Sequence, residues 1–318
     1  MKAYCLSHRK DVDGLGSGAL AVAATGGEIV LSDYDDLVQN LKGIPDDATR
    51  VVLTDLGADG AELPEFLAEV KRIAGHASVT YIDHHYMSED AKQKVRKAGV
   101  QLVHDVGECA SILTYRTFKG TLPDRARLVA LYGAVTDYMD DAPIAKEMME
   151  RQERHFVLLE ATMLSAALGN GSDRSGYPEM LVGELAKMKH PHEIEGVPEA
   201  AVAQLTKEAS IGEEVKAAGR RKGGLAYVTM NQYSTSIVSK VLLGAFDVRV
   251  GVAMRQKQAG WYEVSLRSVR ESRIHLGRTI AKISEGLGGS GGGHRRAAGC
   301  RIPSSRVDDM IAALAKKA

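Results

Sequence analysis

The sequence predicts an α/β protein: an N-terminal doubly wound sheet of five parallel strands, then a smaller α/β domain with a mixed sheet and a cleft between the two. Three observations carry this. Short apolar runs alternate with helical patterns through the first hundred residues, as parallel sheets require. A chain of 318 residues is long enough for one large or two ordinary domains. Apolar content of 44% beside 26% charged residues is that of a soluble globular protein.

In order, Lys2 to Ser7 reads as a strand, His8 to Gly14 as the turn after it, and the small-residue stretch Leu15 to Ala24 as a helix packed tightly on a sheet. Glu28 to Leu31 is a second strand. Asp33 to Leu41 is a helix with acids in its first turn, where the helix dipole favours them. Arg50 to Asp55 is a buried-strand run, Glu62 to Ala74 an amphipathic helix, Ser78 to Ile82 a strand, Ser88 to Ala98 a helix and Val100 to His104 the fifth strand.

After Cys109 the pattern turns helical: Ser111 to Phe118, Asp124 to Met139 and one long stretch from Ile144 to Leu168. Gly169 to Gly176 reads as a loop, with helices at Pro178 to Met188 and Pro198 to Ala218. Arg220 to Gly224 reads as a basic turn. Strands follow at Leu225 to Met230, Val248 to Arg255 and Tyr262 to Arg267, then a helix from Leu276 to Glu285, a glycine-dense loop, a strand near Cys300 to Ile302 and a helix from Ser305. These patterns predict a first domain over 1–195, a helical and basic linker over 196–222 and a second domain over 223–318.

Formal net charge is zero, so nothing marks a protein that coats a duplex; nucleic-acid binding would have to use local basic patches. Cys5, Cys109 and Cys300 lie far apart without metal-binding spacing, which argues against a disulfide framework or a thiolate zinc site. No apolar run approaches about 18 residues, and the N-terminus enters a strand pattern directly, so a cytoplasmic protein without membrane span or signal peptide is expected.

Chemistry concentrates where strands end. His8, Asp11 and Asp13 follow the first strand, Asp55 ends the third and Asp83-His84-His85 ends the fourth, while Asp137 ends a helix. Parallel strands bring their carboxyl ends to one crevice. So many carboxylates cannot crowd together unneutralised, and divalent cations resolve the repulsion. Oxygen and imidazole donors suit manganese or magnesium. Two metals about 3.5–4 Å apart would activate water and clamp a phosphoryl centre. The plainer alternative makes each acid only a helix N-cap, Asp11 or Asp13 before Leu15 and Asp83 before its own helix. Gly14-x-Gly16-x-Gly18 lacks the dinucleotide-binding spacing, and no Walker loop is present.

The second domain carries Gly288 to Gly299, whose glycines would let backbone N–H groups form a nest for phosphate beside His294 and Arg295. Arg267 offers a guanidinium fork to the same anion, or a solvated edge-strand arginine. His190-Pro191-His192 reads as surface. Trp261-Tyr262 could stack a base, with a hairpin core or edge as the plainer role.

The set His8-x-x-Asp11-x-Asp13-Gly14, Thr54-Asp55-Leu56-Gly57, Asp83-His84-His85, Gly133-x-x-Thr136-Asp137-Tyr138 and Gly291 to Gly299 resembles the DHH phosphoesterase superfamily with its C-terminal DHH-associated domain. That group includes RecJ-like exonucleases, nanoRNase/pAp phosphatases and, more distantly, family II pyrophosphatases. The motifs span nearly the whole chain in the family's order. One departure is the two-residue gap between His8 and Asp11, where pyrophosphatases and nanoRNases have three; it resembles archaeal members and leaves His8 the least secure ligand.

The resemblance implies two Mn2+, with Mg2+ or Co2+ as substitutes. His8 and Asp11 would hold one ion, and Asp13, His84 and Asp137 the other, with Asp55 bridging. Asp83 would orient His84, His85 would face the scissile phosphate, and Arg267, Gly292, Gly293, His294 and Arg295 would hold the distal phosphate or nucleotide. The implied activity is hydrolysis of short oligonucleotides or single-stranded DNA or RNA ends. A 3′-phosphonucleotide phosphatase, a cyclic-dinucleotide phosphodiesterase and an inactive replication or repair scaffold are the alternatives. A helicase or repair protein as partner, and a dimer or tetramer, complete the expectation.

Overall fold

The structure is a computed structural model that describes residues 2–58, 63–171 and 174–318, with the backbone alone at 257. Glu62, expected to start a helix, and Ser172 and Asp173 of the expected loop lie outside the described residues. The chain divides into two compact units, Met1–Gln204 and Leu205–Ala318.

The first unit alternates β1 (Ala3–His8), α1 (Val12–Thr25), β2 (Glu28–Ser32), α2 (Leu37–Lys42), β3 (Arg50–Thr54), α3 (Leu63–Ala74), β4 (Ser78–Asp83), α4 (Glu89–Lys97) and β5 (Gln101–His104). The strands form a wholly parallel sheet of order β2-β1-β3-β4-β5. This is a doubly wound order with its switch point between β1 and β3, where such sheets bind ligands. Both faces are covered. The apolar stripe Phe66, Val70 and Ile73 of α3 packs one face, and α1 the other. Small residues let α1 approach closely: a Cβ on Gly18 would sit 2.9 Å from Ser7 Cβ, and one on Gly14 2.3 Å from the His8 carbonyl.

Helices complete this unit: α5 (Ala110–Phe118), α6 (Ala126–Thr136), α7 (Pro143–Met149), α8 (Arg154–Gly171) and α9 (Tyr177–Ala186); α10 (Val197–Ala218) follows and runs on past Gln204. The single helical stretch expected from Ile144 to Leu168 is two helices. The Glu153 carboxylate accepts N–H bonds from His155 (3.1 Å) and Phe156 (2.6 Å), which starts a new helix. The loop expected from Gly169 begins later, because α8 continues to Gly171 against the Tyr177 ring.

The second unit holds β6 (Arg220–Lys222), β7 (Leu225–Thr229), α11 (Thr235–Phe246), β8 (Val250–Gln258), β9 (Trp261–Ser268), α12 (Leu276–Gly286), β10 (Ser290–Gly293), β11 (Ala297–Pro303) and α13 (Val307–Ala315). Its sheet is mixed, in the order β10-β11-β9-β8-β7-β6, with β7 and β8 parallel and the other pairs antiparallel. Three expectations change here. The basic turn is an edge strand that pairs with β7 around Gly223. The stretch Thr235–Phe246, to which the sequence assigns no element, is a helix. The glycine-dense loop is strand β10, since its glycines allow the close pairing with β11; a Cβ on Gly291 would stand 2.5 Å from Cys300 Cβ. Among the described residues no helix is long and apolar enough to cross a membrane.

Candidate metal centre

The crevice at the carboxyl end of the parallel sheet collects side chains from several strand ends. Asp55 stands one residue beyond β3 at φ 57°, a left-handed conformation, and its N–H donates to the Ile82 carbonyl at 3.0 Å. The Tyr81 hydroxyl holds the following turn by donating to the Leu56 carbonyl at 2.6 Å. Asp55 turns one oxygen to each side. Its Oδ2 lies 3.6 Å from His8 Nδ1, and its Oδ1 lies 3.4 Å from His84 Nε2.

On the first side, His8 is 7% exposed and its Nδ1 lies 2.9 Å from Asp11 Oδ2, without hydrogen-bond geometry. Asp11 is also a helix cap, since its other oxygen accepts the Gly14 N–H at 2.8 Å. On the second side, His84 Nε2 lies 3.7 Å from Asp13 Oδ2 and 3.7 Å from Asp137 Oδ2. Asp13 sits inside the first turn of α1, so it is no cap of that helix. Its oxygens receive the N–H groups of Ala110 (2.8 Å) and Ser111 (2.9 Å) at the start of α5. Gly133 makes room: a Cβ there would fall 2.6 Å from Asp13 Oδ1 and 2.2 Å from Ser111 Oγ.

Asp83 is expected to orient His84. At the end of β4 its Oδ1 lies 2.9 Å from the second histidine, at His85 Nδ1. Ser88, not Asp83, caps the helix beyond. The His85 backbone carbonyl is further held by His104 Nε2 at 2.7 Å.

Two residues at this crevice are not among the expected site residues. Asp33, 5% exposed, places Oδ1 3.6 Å from His8 Nε2 and is paired with Lys10. The Tyr34 hydroxyl lies 3.0 Å from His85 Nε2, and its ring stands 5.3 Å from that of His8. The strand-end rule that marks Asp55 marks Asp33 equally, since it follows β2.

The electrostatics are those of a site that wants cations. Burial disfavours the charged form of His8 and His84, but the facing carboxylates outweigh it and push each up to about 10. For Asp137, burial and then the charge of Asp13 push the carboxyl up to about 8. Asp13 is raised by burial and then by Asp55. His8 Nδ1, His8 Nε2 and Asp55 Oδ1 are buried without hydrogen-bond partners. Orphaned donor atoms of this kind, in three groups drawn from His8, Asp11, Asp13, Asp55, His84, His85 and Asp137 that could each hold an ion, fit divalent metal.

The second unit carries the remaining expected residues. Arg267 donates to Ser236 Oγ at 2.6 Å. Gly292 pairs with Gly299, and Gly293 (φ 126°) with Ala298. His294 and Arg295 form the exposed turn of this hairpin, where the His294 N–H donates to the Ala297 carbonyl at 2.7 Å. The expected glycine nest is therefore an edge strand. The carbonyls of His294 and Arg295 accept the N–H groups of Gly277 and Leu276 at the start of α12.

Residues 222–318 match the DHHA1 domain family. No curated protein matches the chain. Among solved structures, the pGpG-specific phosphodiesterase PggH from Vibrio cholerae is 16% identical with a TM-score of 0.58, covering 98% of each chain. The DHH domain of a protein assigned to a family of ribosomal proteins is 17% identical with a TM-score of 0.73, covering 99% of this chain and 86% of the other. Exonuclease RecJ bound to manganese is 15% identical with a TM-score of 0.63, covering 99% and 89%. Residues 222–318 thus belong to the DHHA1 domain family, and along its length the chain shares the fold of these phosphodiesterase and exonuclease structures.

Proposed function

We propose that the chain is a manganese-dependent phosphodiesterase that hydrolyses short oligonucleotides or single-stranded nucleic-acid ends. The observation that carries this is Asp55, whose two oxygens face two separate histidine–carboxylate groups. In this reading His8 and Asp11 would hold one ion and Asp13, His84 and Asp137 the other, with Asp55 shared between the two groups. Two divalent cations bound there supply Lewis acidity toward phosphoryl oxygens and a nucleophilic water at neutral pH. The chain's own residues do the rest. Asp83 fixes His85 through Nδ1, which leaves Nε2, beside the Tyr34 hydroxyl, to meet the substrate phosphate. Arg267 and the hairpin Gly292-Gly293-His294-Arg295 hold the far end of the substrate. PggH is a pGpG-specific phosphodiesterase and RecJ an exonuclease bound to manganese, which supports phosphodiester chemistry.

The test is one panel with Mn2+: a labelled dinucleotide, a longer single strand labelled at either end, adenosine 3′,5′-bisphosphate and pyrophosphate. Ladder products from the long strand would mark an exonuclease and give its polarity. Turnover of the dinucleotide alone would mark a nanoRNase, and turnover of the bisphosphate alone a phosphomonoesterase. No hydrolysis with Mn2+, Mg2+ or Co2+ would overturn the enzymatic reading and leave a scaffold.

A further inference from the structure

Trp261 is the one tryptophan of the chain and opens β9 half-exposed. Its neighbour Tyr262 packs against the apolar core of the second unit. Strand alternation sets Trp261, Glu263, Ser265 and Arg267 on one face of β9, while Val264 and Leu266 line that core on the other. Register places Arg301 opposite Glu263, Gly299 opposite Ser265 and Ala297 opposite Arg267 on the neighbouring strand. Trp261 and Arg267 thus share a sheet face on the order of 20 Å long at about 3.4 Å per residue. The start of α11 covers its far half, where Thr235 meets Ser265 at 2.8 Å and Ser236 accepts from Arg267 at 2.6 Å, so that only the Trp261 end is open.

At the Trp261 end the face carries a built feature. The Arg301 guanidinium lies 4.9 Å from the centre of the Trp261 ring and bonds Gln258. Gln258, Trp261, Tyr262, Glu263 and Arg301 line a pocket of about 140 Å³. Arg255, opposite Glu263 on β8, pairs with it at 3.1 Å, and its Nε–H is buried without an acceptor. Arg255 and Arg301 against Glu263 leave the Trp261 end of the face cationic. An indole with a guanidinium beside it, on a cationic face, is the chemistry that holds a base and its phosphate in single strands.

We propose that the Trp261–Arg301 pocket is a nucleobase subsite, stacking a base of a single strand at a distance from the phosphate held at Arg267. This rests on the reading of Arg267 as part of the substrate wall. It deepens that reading by making the substrate longer than a dinucleotide. Stacking is tolerant of sequence because every base has a π-face, so the subsite selects length rather than sequence.

The lone tryptophan makes the test direct. Full-length protein held in chelator is titrated with pentathymidylate and with dithymidylate while Trp261 fluorescence is followed. The expected result is saturable quenching by the pentamer and none by the dimer. Anisotropy of a labelled pentamer should show Trp261→Ala weakening binding roughly 5- to 150-fold, with Trp261→Phe recovering most of it. Unquenched fluorescence, or equal losses for both lengths, would overturn the subsite. If Trp261→Ala fails to fold by circular dichroism, Arg301→Ala replaces it in the same comparison. Quenching without hydrolysis of any oligonucleotide would keep the subsite and reject the catalytic reading; hydrolysis without quenching would do the reverse.

Discussion

Tyr34 meets His85 hydroxyl to imidazole, at 3.0 Å from Nε2, while Asp83 holds the opposite nitrogen at 2.9 Å. With both nitrogens engaged, the ring cannot rotate without losing a partner. Tyr34→Phe keeps the ring beside His8 and removes only the hydroxyl. The expected result with Mn2+ is a fall in kcat of about 10- to 100-fold, with KM within about twofold. Steady-state kinetics on a labelled oligonucleotide decide it, and an unchanged kcat would make the hydroxyl a bystander.

Asp55→Asn tests the bridging carboxylate with little backbone disturbance, since asparagine tolerates the φ of 57° found there. Turnover should fall by about 100-fold or more while the melting temperature of chelated protein is kept. Wild-type turnover with bound Mn2+ unchanged would reject the bridge.

Stability of the chelated protein should fall as pH rises. The folded chain holds protons on His8 and His84 up to about 10 and on Asp137 up to about 8, above their unfolded values. The folded state therefore binds more protons, so stability declines from about pH 4 through pH 10 for these groups. Metal must displace those protons, so the rise in melting temperature produced by Mn2+ should grow between pH 6 and pH 9. Thermal melts in buffers with and without chelator measure both slopes; a gain independent of pH would contradict the ligand set.

Gly133→Ala should cost about 1–3 kcal/mol and weaken Mn2+ binding together, because the new Cβ falls on Ser111 Oγ and Asp13 Oδ1. Gly183→Ala, within α9 and with open space at its Cβ, should stabilise by about 0.4–1 kcal/mol. Denaturant melts and metal titrations on the two variants make the comparison. Loss of stability in both would show that helix packing, not the seat of Asp13, sets the cost.

His294→Ala should raise KM for an oligonucleotide several-fold with kcat within about twofold, as expected for uniform binding. The side chain is exposed at the hairpin turn, so the variant should fold. An unchanged KM would remove the hairpin from the substrate wall.

The strand-end acids are legible because apolar runs of four to six residues stop abruptly at Asp55 and Asp83, and a parallel sheet gathers such ends. Tyr34 is not legible. Its partner lies 51 residues away, and no local pattern marks a tyrosine that reaches a histidine across a sheet. The partner of Asp83 escapes for a similar reason, since neighbours in sequence at a strand end point different ways. The glycine run reads as loop because glycine favours turns, whereas its strand state comes from pairing with Ala298–Arg301. Helix α11 escapes although Ser234 stands at its N-cap, because that side chain makes no cap bond and the helix is held by packing over β8.

Along the direction of synthesis, the two halves of the centre mature at different times. The group His8, Asp11 and Asp55 is complete in the chain once β3 has been made, whereas Asp13 and His84 wait for Asp137 at the end of α6. The peptide N–H groups that seat Asp13 come from residues 110 and 111, almost a hundred positions downstream. A growing chain, which folds from its N-terminal end, therefore carries a half-built pocket through the making of some eighty residues, and Asp55 is in place before its second set of partners exists.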